Sequence, residues 1–194
     1  RPSVTHMPGS GRALYGGGYS GGMINVIEEI NVSVLGNAFD FGDLTAANKY
    51  WPGGCASLTR GFWQGGAGAP TLTQNINVVE FSTKSNAIDF GNLAAGIREP
   101  AALGNSTRGV FAGGNTPAAD VDTIQYVTIA TIGNTADFGD LTVARKKAGP
   151  ANSTTRGCIG GGQTPSESDV IDYITFSSTG NAVDFGNLTV ARNW

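Results

Sequence analysis

The sequence is poor in the residues that build metal centres, disulfides and charged surfaces. Among its 194 residues are one histidine and two cysteines, and only 14% of the residues are charged. His6 alone cannot form a multi-histidine copper or zinc centre, and it leaves one candidate general base without a partner. Cys55 and Cys158 fall at different points of the repeat described below, so we expect separate buried thiols rather than a disulfide or a metal pair. Composition therefore predicts no metal centre and no cofactor.

Charge and hydropathy exclude two further classes. The net charge is −3, so there is no basic surplus to release counterions from nucleic acid, and we expect no nucleic-acid partner. No apolar run approaches the roughly 20 residues of a membrane helix, and the start of the chain has no signal-peptide pattern. We expect a soluble chain without membrane insertion. A chain that starts at Arg1 rather than Met also indicates a processed product or a part of a longer protein.

One ten-residue motif occurs four times. It reads GNAFDFGDLT at 36–45, SNAIDFGNLA at 85–94, GNTADFGDLT at 133–142 and GNAVDFGNLT at 180–189. Its aspartates lie 49, 48 and 47 residues apart, and a second marker, an arginine before a glycine-rich run, recurs every 48 residues. We expect both markers to be structural, and they are Asp40, Asp89, Asp137 and Asp184, and Arg12, Arg60, Arg108 and Arg156.

The pattern inside one repeat is that of β-strands. DTIQYVTIA at 122–130 alternates two sets of side chains and is rich in β-branched and aromatic residues, whereas no segment keeps a helical period. Cutting a repeat at its turns gives four short strands. Four antiparallel strands in a unit of about 48 residues are typical of a β-propeller blade.

The sequence of the repeat resembles that of known families. The glycine pair after the second strand, with an aromatic or aliphatic residue just before it, resembles the kelch repeat. DFGDLTVAR and TRGVFAGG are similar to the kelch-like repeats of virion and tail-associated proteins of marine cyanophages. Cellular kelch proteins have a tryptophan near the end of each blade, where this chain has Phe41, Phe90, Phe138 or Phe185. The resemblance covers the whole chain and implies a propeller and a location in a virion.

The repeat also predicts the architecture. We expect one all-β domain over residues 1–194, a closed four-bladed kelch-like propeller with blades at about 1–48, 49–96, 97–144 and 145–194. The first and last residues fall at nearly the same phase of the repeat, which favours a closed ring. An eight-bladed ring of two chains and a truncated array are the alternatives.

Identical blades need identical contacts between neighbours. We expect the DFG phenylalanines to fill the layers between blades together with Tyr15, Trp63, Phe111 and Ile159. The glycine after each phenylalanine predicts a bulge or a positive φ. The aspartate before it can accept hydrogen bonds from local amides, or pair with a marker arginine.

Three motifs suggest other chemistry. DFG also binds magnesium in protein kinases, but four copies without a catalytic loop favour a structural role. DVDT at 120–123 and ESD at 167–169 could hold calcium, although they do not form a loop of alternating oxygen ligands.

The variable loops predict the binding face. The loops from strand two to three, and from strand four to the next blade, differ between repeats, while the other loops are nearly uniform. A binding site needs distinct groups, and aromatic rings beside charges suit a sugar or a protein. The candidate ligand-binding residues are Tyr19, Tyr50, Trp51, Arg98, Glu99, Lys146, Lys147 and Trp194.

The expected function is recognition without catalysis. The sequence favours a non-enzymatic module of a phage particle that binds a host-surface glycan or another virion protein, with possible self-association. The alternative is a glycan hydrolase or lyase with carboxylates supplied by loops.

Overall fold

A computed structural model describes residues 3–6, 11–46, 52–67 and 71–193, and in these residues it contains strands and no helix. No part of the described chain is therefore a helix long and apolar enough to cross a membrane. The strands are β1 (Ser3–His6), β2 (Arg12–Tyr19), β3 (Met23–Asn31), β4 (Phe39–Asp43), β5 (Gly53–Ala56), β6 (Arg60–Gln64), β7 (Asn75–Glu80), β8 (Ile88–Asn92), β9 (Ala101–Gly104), β10 (Arg108–Ala112), β11 (Thr123–Thr128), β12 (Ala136–Asp140), β13 (Gly149–Asn152), β14 (Arg156–Gly160), β15 (Gln163–Thr164), β16 (Ser166–Glu167), β17 (Val170–Thr175) and β18 (Val183–Asn187).

The strands form four antiparallel sheets of four strands each. The first sheet is β1–β4, the second β5–β8 and the third β9–β12, each in chain order. The fourth sheet is β13, β14, β17 and β18, and β15 and β16 form a two-stranded ribbon in its loop between strands two and three. The all-β class and the four antiparallel strands per repeat are thus confirmed.

The sheets are arranged in series and lie closest at their first strands. β1 contacts β5, β5 contacts β9, and β9 contacts β13. Among the described strands, no contact of comparable extent joins β13 back to the first sheet. The predicted closure into a ring of four blades is therefore not confirmed, and the first and fourth sheets each keep one face without a neighbouring sheet.

Three apolar clusters fill the spaces between successive sheets. The positions expected to fill them do so at the three interfaces: Phe41, Trp63, Phe90, Phe111, Phe138 and Ile159 are at most 3% exposed. Tyr15 and Phe185 belong to the two outer faces, where Tyr15 is half-buried and Phe185 is 57% exposed. The same residue types are thus buried or exposed according to whether a neighbouring sheet covers them.

The DFG glycine makes the predicted bulge in every sheet. Gly42, Gly91, Gly139 and Gly186 have φ between +134° and +149°, and the strand pairing shifts opposite each of them. A Cβ on Gly139 would lie 2.4 Å from the backbone of Gly180 in the next sheet. Glycine is required there both for the backbone angle and for the close approach of the neighbouring loop.

The marker arginines connect one sheet to the next. Arg12 donates to the carbonyl of Phe81 at 2.9 Å, and Arg108 donates to that of Phe176 at 2.6 Å. In the second sheet, Arg60 donates to the Ile129 carbonyl. Each arginine begins strand two, so its long side chain spans the gap to the following sheet and satisfies a backbone acceptor there.

The carboxylates paired with these arginines come from strand three of the same sheet. Arg12 Nη1 lies 3.0 Å from Glu29 Oε1, and Arg60 pairs with Glu80. The sequence suggested an aspartate of the DFG motif instead. Asp89 and Asp184 accept hydrogen bonds from the amides of Gly91 and Gly186, two residues on, which is the local role expected for them.

Candidate functional site

Strand alternation places two sets of loops at one edge of the sheets. In a sheet with antiparallel strands in chain order, the loop from strand two to three and the segment leaving strand four emerge on the same side. We call this side the variable edge. Its described residues are 20–22, 44–46, 52, 65–67, 71–74, 93–100, 113–122, 141–148, 161–169 and 188–193.

Loops of neighbouring sheets are hydrogen-bonded to each other along this edge. The segment leaving the second sheet pairs with a loop of the third, since Arg98 and Asn115 exchange backbone hydrogen bonds of 3.0 and 2.9 Å. The Arg98 Nε also donates to Asn115 Oδ1 at 3.0 Å. One sheet further, Lys146 and Gln163 exchange backbone bonds of 3.2 and 2.8 Å. These cross-sheet pairs fix the loops relative to one another.

Four of the predicted binding residues form one charged row. Lys147 N donates to the Glu99 carbonyl at 3.0 Å, and its Nζ lies 4.0 Å from Glu99 Oε1. Lys146 Nζ lies 3.1 Å from Asp120 Oδ1, which also accepts from the side-chain Nδ2 of Asn115. The structure thus brings Arg98, Glu99, Lys146 and Lys147 together, and we call these four residues the charged row.

Two members of the charged row have an unusual backbone. Glu99 and Lys147 adopt φ of 59° and 58°, although neither is glycine. The left-handed conformation costs an L-residue about 1–2 kcal/mol, and such strain tends to occur at functional sites. By repeat spacing, the equivalent positions are Tyr50 and Trp194, so this single position carries a different side chain in each repeat.

A buried ion pair adjoins the charged row in the chain, because Arg145 directly precedes Lys146. Arg145 and Asp172 are both 0% exposed, and Arg145 Nη2 lies 3.0 Å from Asp172 Oδ2. Thr142 donates to both carboxylate oxygens, and Arg145 Nη2 also donates to the Ile159 carbonyl. Burial lowers the pKa of Arg145, and the Asp172 carboxylate opposes that shift. The pair holds the segment leaving the third sheet against the fourth sheet.

Of the remaining predicted residues, Tyr19 is described by the structure, and it is not part of this row. Tyr19 is 63% exposed and lies at the end of β2 in the first sheet, beside Val26 and Glu28. Tyr50, Trp51 and Trp194 lie outside the described residues. Sequence reasoning did not name Asn115 and Gln163, although each directly follows a glycine pair in a variable loop, and it named Asp120 only as part of a possible calcium motif. These three polar residues contact the charged row.

The arrangement suits binding by charge and hydrogen bonds. The row combines three cations with the Glu99 carboxylate, and Asp120 lies beside it. Within the described part of the chain, no group of three or more His, Cys, Asp or Glu side chains is placed to hold a metal ion. Both cysteines are free thiols, as expected, but only Cys55 is buried. Cys158 is half-buried because it lines the groove on the uncovered face of the fourth sheet. No protein-family model matches the sequence, and no curated protein is significantly similar to it.

Proposed function

We propose that the four sheets are blades of a kelch-like β-propeller and that the chain is a recognition module of a virus particle. In this proposal it binds a host-surface glycan or another virion protein through the variable edge and catalyses no reaction. The sequence of the repeats supports a viral origin. The hydrogen bonds between the loops support the variable edge as the binding surface.

The main support for the proposal is the set of hydrogen bonds between variable loops of neighbouring sheets. Loops that differ in sequence from repeat to repeat are nevertheless tied together by the Arg98–Asn115 and Lys146–Gln163 pairs. A preorganised surface loses less conformational entropy when a ligand binds. The charged row is held in this way, with two of its residues in a strained backbone conformation. That combination favours a surface selected for a ligand over loops that vary without constraint.

A binding assay with charge-matched variants tests the proposal. The wild-type chain is first applied to a glycan array and to host cells, and the strongest ligand is then titrated against variants. We expect Lys146→Ala and Arg98→Ala to weaken binding at least about tenfold, because an interfacial hydrogen bond to a charged group contributes about 1.5–3 kcal/mol. Lys84→Ala is the control, because Lys84 is an exposed lysine on the loop between β7 and β8, at the opposite edge.

The same ligand distinguishes recognition from catalysis. Saturable binding without release of shorter products supports recognition, whereas turnover of a polysaccharide supports the alternative of a glycan hydrolase or lyase. Equal affinities of the Lys146→Ala, Arg98→Ala and Lys84→Ala variants would show that the variable edge is not the binding surface.

A further inference from the structure

The three interfaces between successive sheets repeat one set of polar contacts. Besides the marker arginine, an asparagine in the loop between strands three and four accepts from an amide of the preceding sheet. These pairs are Asp43 N to Asn86 Oδ1, Asn92 N to Asn134 Oδ1 and Asp140 N to Asn181 Oδ1, at 3.0, 3.0 and 3.1 Å. Their recurrence defines what any neighbouring sheet must supply.

A buried side chain on strand three supplies another recurring acceptor. It accepts from the amide that follows the DFGxL segment of the preceding sheet. These pairs are Thr45 N to Asn77 Oδ1, Ala94 N to Gln125 Oε1 and Thr142 N to Asp172 Oδ2, at 2.8, 2.8 and 3.1 Å. The acceptor changes from amide to carboxylate between interfaces, but its place is constant.

The fourth sheet presents the donor side of this interface to solvent. Its outer face, here called the trailing face, is an apolar groove of about 470 Å³ lined by Cys158, Ile171, Phe185 and Leu188 among others. The equivalent residues of the third sheet are Val110, Ile124, Phe138 and Leu141, which are at most 4% exposed. The trailing face therefore has the apolar composition of an interface between sheets, but no neighbouring sheet packs on it.

The polar donors of the trailing face also lack their counterparts. Arg156 stacks on Tyr173, and among the described residues it has no carbonyl of a following sheet to bond, unlike Arg108. Within the same residues, the amides of Asn187 and Thr189 have no inter-sheet acceptor. A Cβ on Gly186 would meet nothing within 4 Å. The space taken by a neighbouring loop at Gly139 is thus open here.

The first sheet presents the missing acceptors on its own outer face, here called the leading face. Val32 occupies the position of Phe176, and Asn37 that of Asn181. Val32 is 52% exposed, while Phe176 is 2% exposed. Tyr15, Val26 and Glu28 line a second groove on this face, of about 300 Å³. Every acceptor that the trailing face needs has an equivalent on the leading face.

Charge makes the match specific. In the repeat, Arg192 is equivalent to Arg145, and Glu28 is equivalent to Asp172. Arg145 and Asp172 form the buried pair between the third and fourth sheets. Arg192 lies at the groove of the trailing face, and Glu28 at that of the leading face. Opposite charges thus stand where a further interface would bring them together.

The first sheet of the same chain does not cover the trailing face in this structure, as the exposure of Phe185 shows. We propose that the trailing face binds the leading face of a second copy, head to tail, with Arg192 paired to Glu28 and Arg156 bonded to the Val32 carbonyl. Two copies joined by two such interfaces form a ring, because a heterologous contact that closes yields a cyclic assembly.

Charge reversal and mixing test this interface. The masses of the wild type, Glu28→Arg, Arg192→Glu and Phe185→Lys are measured by native mass spectrometry. We expect the wild type to contain two chains and to dissociate on dilution, and each variant to lose the two-chain species. The substituted side chains are exposed, so the variants should keep the wild-type circular dichroism spectrum. Thr131→Arg, on the exposed turn before β12, is the control and should retain two chains.

Mixing distinguishes two copies from closure within one chain. Glu28→Arg and Arg192→Glu each carry like charges on their two faces, but an equimolar mixture places opposite charges at both interfaces. We expect the mixture to recover a one-to-one complex and to slow alkylation of Cys158. A wild type that stays a single chain overturns the proposal, and protected Cys158 in that single chain assigns the face to its own first sheet. A mixture that stays dissociated also overturns it.

Discussion

Asp172→Asn should lower the free energy of unfolding more than most other isosteric substitutions in this chain. Both partners of the Arg145–Asp172 pair are 0% exposed, and the carboxylate accepts from Arg145 and from the amide and hydroxyl of Thr142. Arg145 Nε and Nη1 already have no hydrogen-bond partner. The asparagine would leave the guanidinium buried without its counter-charge.

The expected cost follows from that burial. Breaking a buried ion pair by removing one partner costs about 3–5 kcal/mol. For a chain of this size, that loss lowers the melting temperature by roughly 6–20 °C. Urea denaturation followed by circular dichroism measures the free energy of unfolding directly, and an unchanged slope against urea shows that the unfolded states are comparable.

A double variant provides the matched control. The second and third sheets use Ile97 and Gln125 at the equivalent positions, so Arg145→Ile with Asp172→Gln copies a neutral interface that the same chain already builds. Replacing a buried ion pair by a neutral set is often nearly free of cost, and we expect the double variant to recover more than half of the loss. A cost below about 1 kcal/mol for Asp172→Asn would contradict the reasoning, because it is the value of an exposed pair.

Three other outcomes follow from the structure. Lys147→Gly should be more stable than Lys147→Ala by about 1 kcal/mol, because both lose the side chain and only alanine keeps the left-handed strain; equal urea midpoints would contradict this. Gly139→Ala should lower the free energy of unfolding by about 1–3 kcal/mol more than Gly186→Ala at dilutions where the chain is single, since only the alanine at 139 forces its Cβ against the next sheet. Equal losses for the two variants would show that this clash does not destabilise the fold. Burial raises the pKa of the Cys55 thiol to about 12, so at mildly alkaline pH this thiol stays protonated. At dilutions where the chain is single, iodoacetamide should therefore modify Cys158 first; mass mapping that finds equal rates under these conditions would be inconsistent with a buried Cys55.

Much of the fold can be predicted from the sequence of one repeat. The alternation in DTIQYVTIA predicts β11, and the DFG glycine predicts the bulge, because strand period and glycine conformation are local properties. Phe138 is correctly expected in an inter-sheet layer. Phe185 has the same local sequence but is exposed, since its burial depends on a neighbouring sheet that lies beyond its own repeat.

The candidate site is only partly predictable for the same reason. Loop variability identifies the edge on which Arg98 and Lys146 lie, but not that they pair with Asn115 and Gln163. Nor does sequence show that Glu29, rather than an aspartate of the DFG motif, meets Arg12. These partners depend on the distances between neighbouring sheets, and the spacing of residues within one repeat does not determine those distances.

Hydrogen–deuterium exchange with the ligand selected by the glycan array tests most directly whether the variable edge is the recognition surface. We expect slower exchange, on binding, in residues 96–99, 113–121, 145–147 and 162–168, whose loops are joined across the sheets. We expect no change in the loops at the opposite edge, such as 82–87 and 130–135. Protection confined to those opposite loops would show that the ligand does not bind at the variable edge.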